Sequence, residues 1–159
     1  MGRIATFVVA SCLALSGCAR DGALPEGAPT PSPSFRPGTA IIETDHGAVL
    51  VNVEVADSQE LQQLGLMHRE SLAEDAGMIF LFFEDHTSGF WMKNTQIPLS
   101  IAFFDRGGKI LKILDMEPCE RDPCPTYEPN VSYRGALEVN EGAFKEWGVE
   151  LGDVIRVSP

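Results

Sequence analysis

Val49, Val51, Val53 and Val55 alternate with Leu50, Asn52 and Glu54. A period of two buries one face only if the backbone is extended, so this stretch must be a half-buried strand. Short apolar runs of similar length follow. Residues 77–83 read GMIFLFF, a strand expected to be covered on both faces. Residues 89–93 form a candidate strand. Residues 99–104 and 109–115 flank Asp105-Arg106-Gly107-Gly108, which has the composition of a hairpin turn. Residues 134–139 and 154–157 complete the set. Two short helices are expected. Asp57-Ser58-Gln59-Glu60 has the pattern of a capping box with Asp57 as the cap, followed by Leu61 and Leu64 on one face and Gly65 at the end. The second begins near Asn140, carries Ala143, Phe144 and Trp147, and stops at Gly148. Many short strands with turns between them predict a mainly β, single-domain fold, a small jelly-roll-like β-sandwich with the two helices at its edges.

The N-terminus carries a different signal. Arg3 is the sole charge before residue 18, and an apolar run of about a dozen residues follows it. That run is too short to span a bilayer. It ends in Leu15-Ser16-Gly17-Cys18, which is similar to a bacterial lipoprotein processing box. The resemblance implies cleavage before Cys18 and lipid on its sulfur. Residues 1–17 are then a signal peptide. Residues 18–38 hold Pro25, Pro29, Pro31, Pro33 and Pro37 with few large apolar side chains, a composition suited to an extended tether. Residues 39–159 form the folded domain. The expected location is extracytoplasmic, with the membrane as a partner through the lipid on Cys18.

Residues 39–159 hold 9 of the 12 basic and 21 of the 23 acidic residues. Such a surface repels nucleic acid, which is therefore not an expected partner. Cys119 and Cys124 lie five positions apart in CERDPC. In an oxidising compartment they are expected to form a disulfide, whereas zinc usually takes four ligands at tighter spacing. No phosphate loop, nucleophile elbow, zinc-protease motif or dinucleotide fingerprint occurs, so no metal and no cofactor is expected.

Three blocks stand out together: Gly65-Leu66-Met67-His68-Arg69; Gly77-Met78-Ile79-Phe80 with Phe90-Trp91-Met92-Lys93-Asn94-Thr95; and Ile97-Pro98-Leu99. Leu137-Glu138 and Gly152-Asp153 follow. The set resembles domain of unknown function family 192, small prokaryotic proteins that are often exported. The resemblance covers nearly all of residues 40–158 and implies a mostly β, sandwich-like domain without an established activity. Two positions depart from it. Ser100 stands where the family often has aspartate, and Gln62 where it often has arginine.

Trp91, Lys93 and Asn94 are the leading ligand-contact candidates, because an indole face beside an ammonium suits sugar rings or anions. The alternative is that Trp91 is a core aromatic and that Asn94 and Thr95 make turn hydrogen bonds. An imidazole can serve as a general base, which makes His68 a candidate, and Arg69 follows it. Glu138 lies in a strand with Leu137 and Val139 on the opposite face, and a pairing with Arg69 or Lys93 would mark a site. Met67, Met78, Met92 and Met116 with His68 form a possible soft copper(I) set, against the commoner use of methionine in cores. Two functions follow as expectations. The first is a non-enzymatic binding or accessory module of the cell envelope, its partner a small ligand or an envelope protein. The second is a hydrolase or lyase on an envelope saccharide, using Glu138, Asp115 or His68 as acid or base.

Overall fold

A computed structural model describes residue 2 and residues 34–158. The signal segment, Cys18 and most of the proposed tether lie outside the described residues. In chain order the elements are β1 (Arg36–Thr44), β2 (Gly47–Ala56), α1 (Gln59–Leu64), β3 (Ala76–His86), β4 (Phe90–Trp91), β5 (Leu99–Phe104), β6 (Ile110–Met116), β7 (Thr126–Tyr127), β8 (Tyr133–Asn140), α2 (Ala143–Glu146) and β9 (Val154–Ser158). The fold is mainly β and single-domain, with two short helices, as the strand pattern predicts.

Seven strands form one mixed sheet in the order β6-β5-β8-β3-β2-β1-β9, and β4 pairs with β7 in a small second sheet. Only β2 and β3 run parallel. A parallel pair needs a crossover, and α1 with the segment after it supplies one. The two end strands of the large sheet meet. Lys109 bridges Val154, Ile110 N–H donates to the Asp153 carbonyl at 2.8 Å, and Ile155 N–H donates to the Gly108 carbonyl at 2.8 Å. The sheet therefore bends round until its edges touch at one end, while the rest of β6 and β9 has a ladder partner on one side only among the described residues.

Alternation along each strand then creates two cores. Ala40, Ile42, Val51, Val53, Val55, Ile79, Leu137, Val139 and Ile155 fill the inside of the bend, joined by Ala143 and Phe144 of α2. Met78, Phe80, Ile101, Phe103, Met116 and Ala136 face outward and are covered by Leu61, Leu66 and Met92 from the connecting segments. β5 is buried at all six positions because it is covered on both faces.

Four expectations are corrected. β1 begins at Arg36 and pairs Gly38 with Val53, so residues 36–38 belong to the sheet and not to the tether. The cap of α1 is Ser58, whose hydroxyl accepts from Leu61 N–H at 3.3 Å, while Asp57 turns to Arg36 at 3.4 Å. The run at 77–83 is covered only as far as its middle, and Phe83 is 91% exposed. The strand expected at 89–93 shrinks to Phe90–Trp91, because Thr95 N–H donates to the Met92 carbonyl and turns the chain.

Cys119 and Cys124 form the expected disulfide, with their Cα atoms 5.5 Å apart. The ring is small, so its loop-closure contribution is about 2 kcal/mol on the chain-entropy model. Thermal unfolding with and without reductant should differ by that amount. An unchanged midpoint would mean that the bridge contributes nothing to stability.

Candidate functional site

Leu137 and Val139 of β8 point into the inner core, so Glu138 between them must point to the outer face. There it lies across from Met78 of β3 and Ile101 of β5, both fully buried. Glu138 itself is only 5% exposed. Loss of water penalises the charged carboxylate, and the carboxyl is pushed up to about 8. A buried carboxyl with that shift marks a candidate site.

The outer face above Glu138 is roofed by two segments. Gly65 ends α1 at φ 48°, and Gly65, Leu66 and Met67 form one wall. Phe90, Trp91 and Thr95 form the other. The segments are tied together by His68 N–H donating to the Asn94 carbonyl at 2.8 Å and by Asn94 Nδ2 donating to Met67 Sδ at 3.9 Å. His68 and Asn94 both adopt left-handed backbone, at φ 62° and 57°. Asparagine and histidine tolerate that region better than most residues. Met92 anchors the second segment in the outer core, which turns Trp91 outward at 51% exposure.

Between the walls is a cleft of about 30 Å³ with Glu138 among its lining residues. That is room for roughly two water molecules. No protein group hydrogen-bonds the Glu138 carboxyl among the described residues. No buried side-chain oxygen or nitrogen there is both sealed and unpaired, so the carboxyl reaches the open space of the cleft. Outward, the cleft adjoins a groove of about 320 Å³ that shares Gln62, Gln63, Phe80, Phe90 and Trp91 and continues to Phe82 and His86. Its aromatic walls are braced by edge-to-face contacts of Phe90 with Phe80 at 5.0 Å and with Phe103 at 5.5 Å. Gln62 is fixed by donating Nε2 to the Leu81 carbonyl at 2.8 Å.

The sequence-derived candidates divide. Trp91 and Glu138 meet in the cleft. Arg69 instead pairs with Glu54 at 2.5 Å, and Lys93 pairs with Asp122 at 3.6 Å while lying 5.7 Å from the Trp91 ring centroid. Neither pairs with Glu138. Asn94 stands behind the wall as a structural tie. Asp115 is elsewhere. It accepts from the Ser100 hydroxyl at 2.5 Å, and Ser100 accepts from Gly142 N–H at 2.9 Å. That cluster opens beside Phe144 and Val149 at the inner core, on the other face of the sheet from Glu138. The trio of Glu138, Asp115 and His68 therefore does not converge. Met78, Met92 and Met116 pack into the outer core, and only Met67 of the methionine set lines the cleft. The cleft residues that the sequence did not single out as ligand contacts include Gln63, Phe80, Phe90 and Thr95. Phe80, Phe90 and Thr95 lie within the blocks set out above, which is the available signal.

Comparison with known proteins covers the segments that form this cleft. The family model DUF192, described as an uncharacterized ACR, matches residues 40–157. The chain belongs to this family. A crystal structure of a protein from Sinorhizobium meliloti 1021, described as a candidate transcription regulator, is 30% identical with a TM-score of 0.73, covering 79% of this chain and 96% of that one. A protein of unknown function from Novosphingobium aromaticivorans DSM 12444 is 27% identical with a TM-score of 0.72, covering 81% of this chain and 91% of that one. No curated protein matches. Among the departures from the DUF192 pattern, Gln62 lines the Glu138 cleft and Ser100 does not.

Proposed function

We propose that this DUF192 chain is a ligand-binding module of the cell envelope, held by lipid on Cys18, that receives a small uncharged ligand in the Glu138 cleft. The observation that carries this reading is a buried carboxyl, without a protein hydrogen-bond partner among the described residues, open to a cleft roofed by residues 65–67 and 90–95. With its pKa pushed to about 8, Glu138 is mostly protonated at neutral pH and can donate a hydrogen bond to a neutral acceptor. Hydrolysis or elimination of a glycoside would ordinarily call for a second carboxylate roughly 5–10 Å away. Among the described residues, Glu138 is the only carboxylate lining the cleft or the adjoining groove, which supports binding over catalysis. A regulator's role by direct DNA contact suits this chain poorly, because its net charge is −11.

Two results test the reading. Cys18→Ser should move the protein from the membrane pellet to the soluble fraction, and retention in the pellet would remove the lipid anchor from the proposal. A thermal-shift screen should find a ligand whose stabilisation disappears in Trp91→Ala. At a hundredfold excess over Kd the stabilisation is about 2.7 kcal/mol. Equal shifts in both proteins would place the ligand away from the cleft.

A further inference from the structure

We infer that the groove takes one ring of a neutral saccharide, stacked on Trp91, with a single hydroxyl or acetamido substituent turned down to Glu138. This inference rests on the cleft being a ligand site and adds the ligand's chemistry.

Three observations favour a sugar. First, the space is graded. The outer groove of about 320 Å³ lies at the small end of ligand pockets, which run from about 300 to 1,000 Å³. The inner cleft, at about 30 Å³, excludes a ring and admits one small substituent. A pyranose carries such substituents around its rim. Second, the groove combines aromatic surface with neutral hydrogen-bonding groups. Phe82, Phe90 and Trp91 offer apolar surface to ring C–H groups, while Gln59 and Gln63 offer amides suited to hydroxyls and Gln62, its Nε2 held by the Leu81 carbonyl, offers its amide oxygen. Third, among the described residues neither Lys nor Arg lines the groove or the cleft, and the chain as a whole is strongly acidic. Anionic ligands are repelled at long range, and the cation beside Trp91, Lys93 at 5.7 Å from its ring centroid, is already paired with Asp122. A cationic ligand would draw Glu138 into its charged form, at the cost of stripping that carboxylate of water.

The test uses the full chain and nuclear magnetic resonance, following the Trp91 indole N–H and the Glu138 backbone amide. The probes are methyl glucoside, N-acetylglucosamine and their β-1,4-linked oligomers, with choline and benzamide as a second panel. Saccharides should shift both signals. Trp91→Ala, an exposed position whose loss leaves the core intact, should weaken binding about tenfold, as one lost stacking contact predicts. Glu138→Gln should bind within about threefold of the parent, because a neutral amide also donates, whereas Glu138→Ala should lose about tenfold. If choline or benzamide moves these signals and saccharides do not, the sugar assignment falls and the ligand site stands. If neither panel moves them, the sugar assignment and the ligand site both fall.

Discussion

Replacing Glu138 by glutamine should raise stability at pH 7 by on the order of 3 kcal/mol and flatten the stability profile between about pH 4.5 and about pH 8. The direction follows from proton counting. Below pH 4.5 the carboxyl is neutral in both the folded and the unfolded chain, and burial imposes no ionisation cost. As pH rises, the unfolded chain releases this proton first, because its carboxyl has the ordinary value near 4.5. The folded protein holds the proton until about pH 8, so it binds more protons than the unfolded chain over that window and its stability falls. Above pH 8 the penalty is level. Glutamine has the same shape and no charge to lose, so the variant should show no such fall. Urea midpoints at pH 4.5, 7 and 8.5 for the two proteins read this out. Parallel profiles would mean that Glu138 ionises normally and is better solvated than its burial indicates.

Gly108→Ala should destabilise the fold by about 3 kcal/mol or more, from strained backbone and overpacking combined. Gly108 sits at φ 88°, a region that side chains disfavour. A Cβ added there would strike the Ile155 carbonyl oxygen, at the contact where β9 returns to the β5–β6 turn. The backbone of both segments is fixed by hydrogen bonds, so neither can move aside without opening the bend of the sheet. Gly47→Ala is the matched control. Its φ of 133° is also disfavoured, yet a Cβ there meets nothing within 4 Å. Urea unfolding should separate the two variants by at least the overpacking part, roughly 1–3 kcal/mol. Hydrogen exchange in Gly108→Ala should quicken first in β6 and β9. Equal stability of the two alanine variants would mean that the sheet edges are not held together as described.

Much of this fold was legible because strand periodicity is a local property. The Val49–Val55 alternation and the Asp105–Gly108 turn both appear where residue pattern put them. β1 was missed because Pro37 and Gly38 resemble tether, and only pairing with Val53–Val55 of β2 makes them sheet. The Asp57 cap was misassigned because both Asp57 and Ser58 are good caps, and the choice is decided by Arg36, twenty-one residues earlier in sequence. At the site, Trp91 and Glu138 could be singled out by residue type and strand alternation. Their meeting could not, since it depends on the His68–Asn94 tie between two irregular segments. Arg69 and Lys93 attracted notice as cations, but sequence could not tell that Glu54 and Asp122 would claim them.

The protonation state of Glu138 can be observed directly. In protein labelled with ¹³C at glutamate carboxyl carbons, the signal absent from Glu138→Gln belongs to this residue, and its chemical shift can be followed against pH. A titration midpoint near pH 8 is expected, with the acid form dominant at pH 7. A midpoint near pH 4.5, the ordinary carboxyl value, would contradict a neutral cleft floor and the hydrogen-bond donor that ligand recognition here requires.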